Sequence, residues 1–257
     1  MIVVIDKEIN SVLQDELLRK AVYAINKAIT EDIPGYLKEN YHETNNSILQ
    51  LKGDYINDNL RKYVVGNHIE LLPFSRYNWA GRILIDRKNY FTYTITTIGT
   101  LMSVPKKKGR TRPHFLQSIL YAENSDCEAQ VKQMNLGFDI TQFDSEELET
   151  DYNDITHGFM GKNENYRHFV IAYKSEENEI VEIMLKLLDK DFDTVDEVSL
   201  MDYIKPDFAK LTEITFDEET NDEMEIPGSE NDSKTLVTVK PGYKPNLREI
   251  DKPSDDE

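Results

Sequence analysis

Cysteine is nearly absent from this 257-residue sequence. The single thiol, Cys127, excludes an intrachain disulfide and any multi-cysteine metal site, which fits a reducing compartment. It sits between Asp126 and Glu128, neighbours that raise a thiol pKa, so it makes a poor nucleophile. Long hydrophobic runs are missing too. The longest uncharged stretch, 89–105, is full of Thr and falls short of the roughly 20 apolar residues a spanning helix needs. The amino terminus, MIVVIDKEIN, has five apolar residues before Asp6, no basic lead and no small-residue cleavage site. It reads as a short buried strand, and the protein as cytoplasmic with no membrane span. Phosphate loops of the GxGxxG or GxxxxGKS kind do not occur. The five His, at 42, 68, 114, 157 and 168, are dispersed, with no HExxH spacing.

Basic charge is the next shortage, with 30 Lys and Arg against 48 Asp and Glu, a formal charge of -18. The deficit is uneven. Residues 1–120 carry 17 Lys and Arg against 12 Asp and Glu, a balance of +5, while residues 121–257 carry 13 against 36, a balance of -23. From 213 onward there are 14 acids, 5 bases and the turn-rich strings IPGSENDS and KPSDDE. Such a stretch buries too little apolar surface to offset its ordering entropy, so 213–257 reads as a disordered acidic tail. LVTVKPGY, 236–243, is its exception and has the pattern of a strand able to add to a sheet edge. What is present elsewhere, 39% hydrophobic residues with 14 Tyr, 10 Phe and one Trp, is enough for a core. Residues 1–212 read as a single α+β domain, with a sub-boundary in the acidic region 124–165.

Ser11 and Gln14 form a capping box, and Leu13, Leu17, Ala21, Ile25 and Ala28 follow at helical spacing, predicting a helix over 12–29 that Pro34 and Gly35 punctuate. Residues 36–41 add a turn of helix, and Tyr55, Ile56, Leu60, Tyr63 and Val64 predict a second helix over 54–65, stopped by Gly66. The period then changes. Segments 69–74, 79–86, 90–97 and 100–104, rich in β-branched and aromatic residues, read as consecutive antiparallel strands. In 90–97 one face is the more apolar, as in a sheet covered on one side. Pro113 opens an inter-strand helix over 113–123. Residues 124–165 are weakly patterned, with Asp144, Glu146, Glu147, Glu149, Asp151 and Asp154 crowded together, and read as long loops with one short helix. Residues 168–174 and 179–188, around a Ser-Glu-Glu-Asn turn, make a second hairpin, and Ser199 caps a closing helix through Tyr203 and Ile204. The order predicts α+β with a mostly antiparallel sheet.

The densest cationic feature is Lys106, Lys107, Lys108, Gly109, Arg110, Thr111, Arg112, Pro113, His114. At a strand-to-helix connection, such a run has the donors to hold phosphate through side chains and a helix amino terminus together. Arg76, Tyr77, Trp79 and Arg82 in the preceding sheet add aromatic and guanidinium groups, a mixture found on nucleic-acid platforms. The competing reading is a solvated turn that balances an acidic protein or docks its acidic tail. A second constellation is Glu70 with Asp86-Arg87-Lys88, the acid and acid-x-Lys spacing of metal-dependent nucleases, in which two carboxylates hold Mg²⁺ and Lys supports the attacking water. Asp86 to Asn89 reads better as a tight turn between two strands, since Asp and Asn favour turns.

RYNWAGRILIDRKNYFTYTITTIGTLMSV followed by PHFLQSILYAEN resembles an uncharacterised family of bacterial and prophage proteins. The shared outline runs through Trp79-x-Gly81-Arg82, Asp86, Tyr93-Thr94, His114-Phe115, Ile119-Leu120 and Asn124, covering about 75–124. The resemblance implies a phage or mobile-element cytoplasmic protein and brings no catalytic residues. The reading that follows is a non-enzymatic macromolecule-binding protein, without a cofactor. Its binding residues are Trp79, Arg82, Lys106, Lys107, Lys108, Arg110, Arg112 and His114, and its partner is a protein met by the acidic carboxy-terminal half or nucleic acid met by 106–112. The alternative is a Mg²⁺-dependent nuclease built on Glu70, Asp86 and Lys88.

Overall fold

The computed structural model describes residues 15–40, 44, 46–76, 79–107, 109–129, 143–160 and 165–204. These belong to the first of two units into which the chain divides, Met1–Phe216, the second being Asp217–Glu257. The expected amino-terminal strand, the Ser11 capping box and the acidic tail lie outside the described residues.

Helix α1, Asp15–Lys27, buries Leu17, Leu18, Ala21, Val22, Ala24 and Ile25 along one stripe, as the periodicity predicts. It does not stop before Pro34. Ala28–Asp32 forms a π turn that leads into α2, Ile33–Glu39, and the Ile33 N–H reaches back five residues to the Ala28 carbonyl. A proline inside a helix lacks a donor and crowds the carbonyl four residues back, and the wider turn absorbs both. Lys27 fastens the π turn by donating to Glu31 (3.0 Å) and Asp32 (2.8 Å). Helix α3 spans Ile48–Tyr63 and is tied to this turn by Asn59, whose amide donates to the Ala24 carbonyl and to Asp32.

Six strands form one sheet in sequence order: β1 Ile69–Arg76, β2 Trp79–Asp86, β3 Phe91–Thr97, β4 Arg167–Glu176, β5 Glu179–Leu188 and β6 Thr194–Ser199. Every neighbouring pair is antiparallel except β3 and β4, which run parallel from Phe91↔Arg167 to Thr97↔Tyr173. The fold is therefore α+β with a mostly antiparallel sheet. A parallel step needs a crossover, and it carries α4, Ile98–Ser103, α5, Phe115–Glu123, and α6, Ser145–Thr156. The β4–β5 hairpin turns through Glu177 and Asn178, both at positive φ (47° and 72°), as a tight primed turn demands.

Two expectations are corrected and one is sharpened. Residues 100–104 are not a strand: Thr97 Oγ1 accepts the Thr100 N–H at 3.1 Å and caps α4 instead. The short helix expected in the acidic region is α6, three turns long and entered through a reciprocal capping box between Asp144 and Glu147. The sheet is covered on both faces rather than one. Leu84, Tyr93, Phe169, Ile171, Ile183 and Leu185 pack against α1 and α3, while Ile83, Ile85, Val170 and Ala172 pack against α5 and α6. A parallel pair is seldom left half-exposed, and here the crossover itself supplies the second cover.

A cation-lined cleft in a split sheet

Strand β2 pairs with β1 along its whole length, from Ile69↔Asp86 to Arg76↔Trp79. With β3 it pairs only at Leu84↔Tyr93, Ile85↔Thr92 and Asp86↔Phe91. Beyond those three pairs the strands part, leaving Trp79–Ile83 and Thr94–Thr97 on either side of a gap. A cleft of about 630 Å³ occupies it. Helix α3 walls one side with Leu49, Gly53, Ile56 and Leu60, and the basic turn walls the other with Lys107 and the segment Gly109–Phe115.

Aromatic packing shapes the open end. The Trp79 ring stacks on Phe115 (centroids 5.4 Å apart, planes at 25°) and meets the edge of Phe74 at 5.5 Å. Gly81 makes this possible, because a Cβ there would stand 2.4 Å from Phe74 Cζ and 2.6 Å from Trp79 Cη2. Gly81→Ala should therefore turn Trp79 off the stack and cost about 1–3 kcal/mol of stability. Trp79 emission and urea unfolding read both effects, and an unchanged spectrum would refute the close approach.

The cleft's charge runs against the composition of the chain. Its charged lining residues are Arg76, Arg82, Lys107, Arg110 and Arg112, with no Asp or Glu among the described residues that line it. Two of the five cations are committed to α6. Asp151, 3% exposed, accepts from Arg76 Nη2, from Arg112 Nε at 2.6 Å and from Ser118 Oγ at 2.5 Å, and Asp154 accepts from Arg112 at 2.8 Å. Arg76 Nε is buried without a hydrogen-bond partner among the described residues. Arg110 donates to the Val104 carbonyl (2.8 Å) and to Gln117 (3.3 Å), and Arg82 to the Gly81 carbonyl (2.8 Å). Among the described residues, Arg82, Lys107 and Arg110 have no carboxylate partner.

His114 is not a sixth cation. It is the N-cap of α5, and its Nδ1 accepts the Leu116 N–H, so the proton of the neutral ring sits on Nε2. Burial first, then the charges of Arg110, Arg76 and Lys107, push its pKa down to about 4. Of the residues named from sequence, Trp79, Arg82, Lys107, Arg110, Arg112 and His114 line the cleft. Lys106 is exposed on the turn after α4 and does not line it, and Lys108 lies outside the described residues. Among the described residues of the basic turn, Arg112 pairs with acids of the protein itself, Asp151 and Asp154 on α6, while the docking of the acidic tail falls outside the described residues.

The nuclease constellation does not assemble. Glu70 pairs with Ile85 and Ile69 with Asp86, so strand alternation points Glu70 and Asp86 to opposite faces of the sheet. The Asp86 carboxylate accepts from Lys88 N (3.0 Å), Asn89 N (3.2 Å) and Asn89 Nδ2 (2.7 Å), closing the β2–β3 turn, while Glu70 accepts from Arg87. Lys88 is exposed. No group of three or more His, Cys, Asp or Glu among the described residues is placed to hold a metal. Cys127 is held unreactive, its thiol pushed up to about 11 by burial, with Arg167 opposing and Asp126 adding to the rise.

Sequence reasoning missed the polar cluster under the cleft. Thr92, Thr94 and His168, each at most 2% exposed, join Glu123 and Tyr152 between the sheet and the crossover helices. The alternating threonines of β3 were its one visible sign.

An α+β protein whose split sheet holds a cation-lined cleft is thus the class that fold and site define. The chain belongs to a family of unknown function, DUF5986, whose model matches residues 10–253, far beyond the segment that carries the resemblance. No curated protein and no solved structure matches it. Among the described residues, no helix is long and apolar enough to cross a membrane.

Proposed function

We propose that the cleft binds single-stranded nucleic acid, with phosphates met by Arg82, Lys107 and Arg110 and a base stacked at Trp79. The observation that carries this reading is that every charged side chain among the described residues lining the cleft is positive, in a chain of net charge -18. Cations retained at one place against such a background are placed there for an anion. The aromatic group beside them favours a ligand that also carries a flat ring, since every base offers a π face to an aromatic side chain. The long-range field of the chain opposes approach, so affinity rests on short-range contacts in the cleft. The mobile-element setting implied by the sequence resemblance, and a cytoplasmic location, fit the same reading as parts of the proposal.

Trp79 is the only tryptophan of the chain, so its fluorescence reports the cleft directly. Oligothymidylate without terminal phosphates is expected to quench it saturably, with log K falling about 2 per decade of salt if three phosphates are neutralised. Lys107→Ala and Arg82→Ala should each weaken binding about three- to tenfold and flatten that slope by roughly 0.7. Quenching by mononucleotide as strong as by the oligomer would replace the macromolecular ligand with a small one. No quenching by either would end the reading.

A further inference from the structure

Beneath the cleft a chain of hydrogen bonds runs from a buried acid to a residue of the cleft lining. Thr92 Oγ1 donates to Glu123 Oε2, and Tyr152 donates to Oε1 at 2.8 Å. A threonine has one hydroxyl hydrogen, so His168 Nδ1, 2.7 Å from Thr92 Oγ1, must donate to it. His168 Nε2 is then an acceptor, and Thr94 Oγ1, 2.9 Å away, donates to it. With Glu123 ionised, every hydrogen in the chain points toward the carboxylate, and Thr94 has none left for the cleft it lines.

Adding one proton reverses the order. A proton taken up at Thr94 moves each hydrogen one step along an existing bond: from Thr94 to Nε2, from Nδ1 to Thr92, from Thr92 to Glu123. One proton enters and one carboxylate is neutralised. Glu123 now donates to Thr92, Thr92 to Nδ1 and Nε2 to Thr94, so the hydrogen on Thr94 is free to turn outward. We propose that anion binding in the cleft draws a proton onto Glu123, because that proton reverses the Thr92–His168–Thr94 chain and makes Thr94 a donor to the ligand. This rests on the cleft being the nucleic-acid site.

The groups facing Glu123 are Thr92 on β3, His168 and Arg167 on β4, and Tyr152 on α6. Arg167 is itself held by Asp126 at 2.6 and 2.9 Å. Burial pushes the Glu123 carboxyl up to about 7 against the pull of Thr92, Tyr152 and Arg167, while burial holds His168 down at about 3. Near neutral pH the histidine stays neutral and the titrating proton belongs to Glu123. His114, pushed down to about 4, is also silent there.

The test is Trp79 quenching by oligothymidylate without terminal phosphates, at constant ionic strength, from pH 6 to pH 8.5. Wild-type affinity is expected to fall about five- to tenfold across that range, the worth of one charge-assisted hydrogen bond under linkage. Glu123→Gln keeps the shape and presents a permanent donor to Thr92, so it should bind at the tight, low-pH level throughout. Thr94→Val removes the end of the chain and should bind at the weak level throughout, which keeps the test standing if Glu123→Gln fails to fold. A pH dependence in wild type that either variant retains, or none in wild type, overturns the coupling while leaving the site intact. Absence of binding at every pH overturns the site reading and the coupling with it.

Discussion

Asp151→Ala is expected to lower the unfolding free energy by about 3–5 kcal/mol, the cost of breaking a buried ion pair from one side. The carboxylate is 3% exposed and serves Arg76, Arg112 and Ser118 at once. Without it two guanidinium groups repel across an emptied site. Arg76, its side chain 11% exposed, has little water to turn to. The basic turn should also loosen, since Arg112 is its tie to α6. Urea unfolding measures the first effect and proteolysis near Arg112 the second. Asp151→Asn keeps an acceptor but not the charge and should fall between. A loss below about 1 kcal/mol for the alanine variant would mean that the arginines find other partners and that Asp151 does not anchor the turn.

Asn124→Ala should cost nearly as much, by another route. The residue follows α5 and reaches where the β4–β5 ladder, whose last pair is Phe169↔Leu187, has ended. Its amide donates to the carbonyls of His168 (2.9 Å) and Leu188 (2.7 Å), and its oxygen accepts the His168 N–H (2.9 Å). Alanine orphans three backbone groups in a fully buried place. At about 1–3 kcal/mol for each unsatisfied group, with partial relaxation, the expected loss is about 3–5 kcal/mol. Asn124→Asp, which retains the acceptor and loses the donor, should recover only part of it. Equal stability of wild type and Asn124→Ala in urea would show that water or a backbone shift replaces the bonds.

Both of these residues show what the sequence made legible and what it hid. Periodicity alone located α1, β1 to β5 and α5, because each buries one face and repeats its apolar residues at the spacing of its backbone. Helix α6 was legible only as one short helix somewhere in 124–165, its bounds obscured by its acids, although Asp144-x-x-Glu147 is a capping signature and Leu148, Tyr152 and Ile155 keep helical spacing. Strand β6, Thr194–Ser199, alternates too weakly to stand out, since its residues are intermediate or exposed. The aromatic and cationic members of the cleft were identifiable as residue types. That Arg112 is tied to Asp151 while Lys107 is not depends on pairing across the crossover, which no local pattern encodes. The cleft itself arises from a register that stops after three pairs, and its floor from buried threonines that look like ordinary strand formers.

The one parallel step, between β3 and β4, also sets the order in which the molecule can be assembled. The β1–β3 and β4–β6 meanders are each closed by short turns and depend on contacts local in sequence. Their junction, Phe91 against Arg167, must wait for the whole crossover to be gathered in, the slow kind of closure in a folding chain. Because the cleft extends from Arg82 on β2 to Tyr173 on β4, it is finished only at that late step. The stretch from α3 through the first meander to the basic turn already holds every lining residue but Tyr173, so the second meander closes the cleft rather than charging it.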